Sequence, residues 1–349
     1  MNVFFNTLSR LSSLFLCVFL LVFAAVRANA QDGDNANGNA PHAEEKFNAG
    51  EVIIHHVLDD HVWHFWDGHG GTLYLPVIVY SAEKGFDLFS SKRFYDEHHN
   101  VIPYNGYVLD HNHIYLQGTD KAVLDLSITK NVAMLLINAT LLVLVFLAVA
   151  GSYKKNVGKA PRGIQSFIEP IIVFVRDEVV KPNIGHGYEK YMPYLLTLFF
   201  FILFGNILGL LPGAANLTGN IAVTLTLAVL TFIITNVSGT KAYWSHIFWT
   251  PGVPLPLRIV ILPVEILGIF TKPISLMVRL FVAITAGHIV ILSLIALTFI
   301  FQSYLVGIAS SLVVLFINLI ELLVAGIQAY VFTLFTSLYI GMARADDHH

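Results

Sequence analysis

The sequence predicts an all-α polytopic membrane protein: five transmembrane helices plus an interfacial amphipathic helix, with a small, β-rich extramembrane domain in front of them. Three observations predict it. Of the 349 residues, 56% are hydrophobic and only 12% are charged, with a mean hydropathy of +0.68, whereas soluble domains carry roughly 25% charged residues. Beyond Lys130 the chain contains apolar runs long enough to cross a bilayer. The Lys and Arg residues in the loops after the first of these runs all fall on one side of the membrane. A net charge of −3 gives no electrostatic basis for a nucleic-acid partner.

The elements follow in chain order. Residues 1–30 read as a signal peptide: Arg10 precedes the apolar stretch Leu14 to Val26, and Ala28 to Ala30 form a small-x-small cleavage site. The competing reading is an uncleaved anchor helix. The one cysteine, Cys17, lies in this segment, so no disulfide can form within the chain. Residues 31 to about 50 are a polar linker, and from Glu51 to about Thr129 short alternating stretches with Gly punctuation read as strands.

The region 31–130 is acidic and His-rich, with 15 Asp or Glu against 6 Lys or Arg and 10 of the 15 histidines. His55, His56, His61, His64, His69, His98, His99, His111 and His113 raise a metal-site hypothesis, with His61 and His64 spaced as a zinc pair. No carboxylate or cysteine closes such a site, so solvated or core imidazoles are the preferred reading and no metal is expected.

The membrane domain is expected over 131–342, with a cytoplasmic tail at 343–349. Val132 to Gly151 forms the first span, followed by a basic loop with Lys154, Lys155, Lys159 and Arg162. That loop is cytoplasmic by the positive-inside rule, which places the N-terminal domain outside. Residues 163–182 mix Glu169, Arg176, Asp177 and Glu178 into an apolar pattern and read as the interfacial helix. Tyr194 to Pro212 and Ile221 to Val237 are the second and third spans. The last two apolar stretches run from Ile259 to about Ile300 and from Tyr304 to about Gly341.

Roughly forty residues of helix reach about 60 Å, near twice the ~30 Å hydrocarbon core. Pro263 and Pro273 bend the first long helix without halving it. A strongly inclined pair, suited to wrapping a curved partner within the bilayer, is therefore expected. The first carries Glu265, Lys272, Ser275, Arg279, Thr285 and His288; the second carries Asn318, Glu321 and Gln328. At 100° per residue the last three share a face, whereas Arg279 and His288 point to opposite faces. Folded as an antiparallel hairpin about Phe301 to Tyr304, one register places Arg279 level with Gln328 and His288 level with Glu321. Ionisable groups inside a membrane span are functional by default. The structural alternatives are an Arg279 ion pair with Glu265 or Glu321, a purely structural His288–Glu321 pair, and a snorkelling Lys272.

At these residues the sequence resembles subunit a of the F-type ATP synthase over roughly residues 130 to 342. The resemblance rests on "TKPISLMVRLF", on "AGH" nine residues after the arginine, and on "ELLVAGIQAYVFTLFTSLY". "FIEPIIVFVRDEV" and "LLTLFFFILFGNILGLLP" follow the family's earlier helices in order. The resemblance implies that Arg279 faces the ring-borne carboxylate of the c subunits and blocks proton leak. His288 and Glu321 then line an outer half-channel, Gln328 lies beside the arginine, and Glu265 lies on an inner half-channel; Ser275 and Asn318 complete the candidate site residues. It implies peripheral-stalk b subunits and the soluble F1 head as further partners, an inner-membrane location, and no cofactor. After "RLF" the family has Gly then Asn; this chain has Val282 and Ala283, leaving Thr285 as the neighbour able to supply hydrogen bonds. The family shares little with region 31–130, so the resemblance assigns that region no role. There is no G-x-x-x-x-G-K-[ST] run, so ATP chemistry is expected on partner subunits. The alternative function is a secondary metal-ion or proton-coupled transporter with a His-rich external domain, although no inverted repeat is evident.

Overall fold

The structure, a computed structural model, describes residues 59–64, 71–81, 84–96, 101–110, 113–118, 123–155, 160–211, 213–249, 254–301 and 303–344. The signal-peptide and linker expectations and the tail 345–349 lie outside these residues, as do His55, His56, His69, His98, His99 and His111.

Among the described residues, seven short strands come first. β1 (Val62–His64) pairs antiparallel with β2 (Thr72–Tyr74). β3 (Pro76–Ser81) lies between β4 (Gly85–Ser90) and β7 (Leu124–Asp125), and β5 (Tyr107–Asp110) forms a hairpin with β6 (His113–Leu116). β3 shows why: its β-branched Val77 and Val79 point inward and are fully buried, while Tyr80 points out. They pack with Phe94, Tyr107, Leu109 and Ile114. Asn105 and Gly106 both adopt positive φ (51° and 71°) and turn the chain into β5. The buried Tyr107 hydroxyl donates to Asp87 Oδ2 at 2.7 Å.

The strands are tied to the first helix, α1 (Lys130–Lys155). Asp59 caps it from seventy residues away: Oδ1 accepts from Asn131 N at 3.1 Å and Oδ2 from Thr129 Oγ1 at 2.7 Å. The Lys130 amide donates to Asp60 O at 2.9 Å.

α2 (Ile164–Phe174) buries Gln165 and Ile168 and exposes Ile164 and Phe167. Pro170 sits inside it, and the helix then widens into a π-helical turn at Val175–Val180 before α3 (Lys181–Ile184). The Val179 carbonyl accepts from Asn183 Nδ2 at 2.6 Å and from Ser337 Oγ at 3.4 Å. α3 approaches the last helix so closely that a Cβ on Gly341 would overlap the Asn183 carbonyl.

α4 (Met192–Gly209) supplies the centre of the helical core, with Leu195, Leu198, Phe200 and Ile202 buried. α5 (Ile221–Val237) starts at Asn220, whose side chain accepts from Ala222 N at 2.9 Å. α6 (Lys241–Phe248) leaves α5 at a 102° bend. α7 (Leu255–Phe301) and α8 (Tyr304–Arg344) form the long antiparallel hairpin, 47 and 41 residues or about 70 and 60 Å. α7 runs unbroken through Pro263 and Pro273.

The chain is thus a mostly helical, multi-pass membrane protein. α1, α4, α7 and α8 are each long and apolar enough to cross a bilayer, and the bent pair α5 and α6 together make up to a fifth. The five-span expectation counted α5 alone as a crossing; at 17 residues it is the shortest of them.

Candidate functional site

The hairpin register decides which polar side chains meet. Thr298 Oγ1 and Ser310 Oγ are hydrogen-bonded at 2.7 Å near the turn, and His288 Nδ1 lies 3.7 Å from Glu321 Oε1 further along. Further still, the Lys272 ammonium lies over the Tyr339 ring at 5.5 Å. The structure therefore brings His288 and Glu321 together, as the level-pair argument expects.

Their surroundings are unusual for a membrane helix pair. Glu321 is 3% exposed, and both its oxygens are buried with no hydrogen-bond partner among the described residues. The same holds for His288 Nδ1 and for Thr285 Oγ1, one turn before His288. A separation of 3.7 Å is too long for a direct hydrogen bond. Polar atoms left so are costly unless water or a mobile proton serves them. Gly287 provides the room: a Cβ there would lie 2.9 Å from Glu321 Oε1.

Arg279 is placed differently. It is exposed between the exposed apolar side chains of Val278 and Val282. It has no hydrogen-bond or ion-pair partner among the described residues, and its guanidinium lies over the Phe335 ring at 4.7 Å. The structural ion pair with Glu265 or Glu321 is therefore not formed. Gln328, half-buried, lies seven residues before Phe335, about 10 Å along α8, and makes no hydrogen bond to Arg279 among the described residues. Ser275, one turn before Arg279, is exposed, as is Asn318, one turn before Glu321.

Along α7, Arg279 stands about 14 Å from His288 and about 21 Å from Glu265 in the other direction. Glu265 is half-buried and acts electrostatically on Tyr243 of α6, whose hydroxyl donates to Asn236 Oδ1 at 3.4 Å. One exposed cation thus lies between two separate polar patches.

Several buried polar residues escaped the sequence reading. Asn206 of α4 donates from Nδ2 to Ala325 O at 3.3 Å and accepts from Thr218 Oγ1 at 2.7 Å. Asn138 of α1 donates to Phe201 O at 3.0 Å, and Tyr194, Thr231 and Thr336 form a buried hydroxyl chain. The signal was present: each is a polar residue in an apolar run.

Of the histidines offered for a metal, His61 is buried and its Nε2 lies 3.0 Å from Asp125 Oδ2, while His113 is exposed. Burial pushes the Asp125 carboxyl up, but the His61 hydrogen bond and charge, with the bonds to Ser127, outweigh it and bring it down to about 2. No cluster of three His, Cys, Asp or Glu suited to a metal ion occurs among the described residues.

The ATP synthase A chain family matches residues 132–341, which include every one of the hairpin side chains above. This chain belongs to that family. It is 42% identical to ATP synthase subunit a 2 of Chlorobaculum tepidum over 328 residues, covering 92% of this chain and 80% of that protein. It is 42% identical to ATP synthase subunit a of Pelodictyon phaeoclathratiforme, covering 88% and 79%. Subunit a of an Anaeromyxobacter species is 40% identical, covering 90% and 74%. A domain of unknown function (DUF8433) matches residues 52–134, the strands and the start of α1. The family model itself begins only at residue 132, whereas alignments spanning nine-tenths of the chain carry these particular relatives into region 31–130.

Proposed function

We propose that this chain is the proton-translocating stator subunit of a rotary F-type ATP synthase. It works in a bacterial inner membrane with its strands outside and its C-terminus in the cytoplasm, α7 and α8 lying strongly inclined. The observation that carries the proposal is Arg279: a charged, exposed side chain on an apolar helix with no counter-ion among the described residues. Such a charge is tolerable in a bilayer when its counter-ion sits on another chain. The family membership points to a ring of c subunits as that chain, with peripheral-stalk b subunits and the F1 head completing the assembly.

In this reading protons arrive from outside through a half-channel at Thr285, His288 and Glu321. An imidazole beside a carboxylate suits relay, because its ordinary pKa of about 6.5 lies near working pH. Asn318 and Gln328 line the route toward the ring, where a carboxylate takes the proton. After rotation the proton leaves past Ser275 and Glu265, and Arg279 separates the two half-channels. Its guanidinium holds the deprotonated ring carboxylate and repels a proton from crossing directly. A potential of 100 mV contributes about 2.3 kcal/mol for each proton carried.

Glu321→Gln in the assembled complex tests the relay. The variant is expected to lose most ATP-driven proton pumping while the soluble head still hydrolyses ATP. Pumping at the parent rate would overturn the assignment of Glu321.

A further inference from the structure

We propose that the extramembrane domain positions the mouth of the outer half-channel, with Trp63 as the positioning residue; this rests on the proton-channel reading above. Trp63, in β1, is 7% exposed, and its Nε1–H donates at 2.6 Å to the carbonyl of Gly213, in the loop between α4 and α5. Its indole and Leu75 belong to the same buried cluster as Met134 and Leu135 of α1, Phe200 of α4 and Leu217 of the loop.

From that loop the contacts continue inward. Thr218, fully buried, donates its hydroxyl to Asn206 Oδ1, and Asn206, 1% exposed, donates its amide to Ala325 O. Ala325 is one turn after Glu321 on the same face of α8. Gly205, beside Asn206, is so closely packed that a Cβ would lie 3.1 Å from Leu217 and 3.3 Å from Asn138 Nδ2. The chain just before β1 is fixed to the start of α1 through Asp59 and Asp60.

A continuous series of direct contacts therefore joins a strand outside the bundle to the backbone one turn from the buried carboxylate. Burying Thr218 and Asn206 among apolar helices is costly unless both are bonded. Bonded, they hold the loop and α8 in one arrangement. The domain is thus a frame that holds the loop over Glu321, and proton uptake from outside depends on it.

The test uses the complete synthase in inverted membrane vesicles, whose lumen corresponds to the outside. ATP synthesis is measured against lumen pH at fixed external pH, and then against external pH at fixed lumen pH. Trp63→Phe keeps an aromatic ring and removes the N–H donor. It is expected to shift the lumen proton concentration for half-maximal synthesis by about fivefold, the equilibrium change that one lost hydrogen bond corresponds to. The external profile is expected to stay unchanged, with the complex present at the parent amount. Thr218→Val is expected to shift the lumen profile in the same direction, and Thr218→Ser, which keeps the hydroxyl, to restore it. A merely structural role would lower the amount of complex without moving either profile.

Superimposed lumen profiles for the parent and an assembled Trp63→Phe complex would overturn the inference. If that variant does not assemble, an unshifted Thr218→Val profile does so. Arg279→Ala, run alongside, separates the two claims. Undiminished coupling there sinks the channel reading itself, whereas lost coupling with unshifted Trp63→Phe and Thr218→Val profiles sinks only the role of the domain.

Discussion

Replacing Asp125 by Asn removes the carboxylate that meets His61 Nε2 at 3.0 Å and accepts from Ser127 N at 2.8 Å. In the folded chain Asp125 titrates at about 2 against an ordinary 3.8. At 1.36 kcal/mol per pKa unit the difference amounts to about 2 kcal/mol. The carboxyl is 18% exposed, so solvent screens the pair only in part. A depressed acid contributes stability that is present above its unfolded pKa and is lost as pH falls through its folded one. The contribution is therefore complete at neutral pH and disappears between about pH 4 and pH 2. Tyr80 of β3 pairs with Leu124 of β7, so its amide reports the opening. Hydrogen exchange on the full chain in detergent, corrected for intrinsic rates, is expected to show Asp125→Asn losing about 30-fold in protection there at pH 7. The parent is expected to lose a similar factor on acidification below pH 4, and the variant much less. Equal protection of variant and parent at pH 7 would refute the argument that the His61–Asp125 pair holds this sheet.

Other substitutions probe the helices. Gly287→Ala puts a methyl 2.9 Å from Glu321 Oε1, so the carboxylate must move. Proton pumping is expected to fall at least threefold or so with assembly intact, and parent-like pumping would show that the Glu321 position is not critical. Asn138→Leu removes the donor to Phe201 O in the α1–α4 contact and is expected to lower the denaturation midpoint of the solubilised chain by about 1–2 kcal/mol equivalent; an unchanged midpoint contradicts this. Lys272→Met removes the ammonium that lies over the Tyr339 ring and is expected to leave pumping within about twofold of the parent, as for a snorkelling residue. A severe loss would place Lys272 in the ion path.

What the sequence makes legible here is local or periodic. α5 begins and ends where the apolar run does, because Asn220 caps it and polar Ser238 and Gly239 follow. The His288–Glu321 contact was readable because an antiparallel hairpin with a short turn leaves one free variable, its register. The same reasoning placed Gln328 level with Arg279, but the guanidinium leans to Phe335 instead, since a long side chain reaches a turn or more along its neighbour. The π-helical turn at Val175–Val180 has no periodic signature, being one extra residue in an otherwise helical run. The Trp63–Gly213 bond joins residues 150 apart, and no pattern within either segment announces it.

The central claim is that Arg279 stands in the ion path, and ATP-driven proton pumping by Arg279→Ala in inverted vesicles tests it most directly. With assembly of the complex confirmed, the account predicts that pumping is abolished. Pumping at the parent rate by an intact Arg279→Ala complex would contradict it.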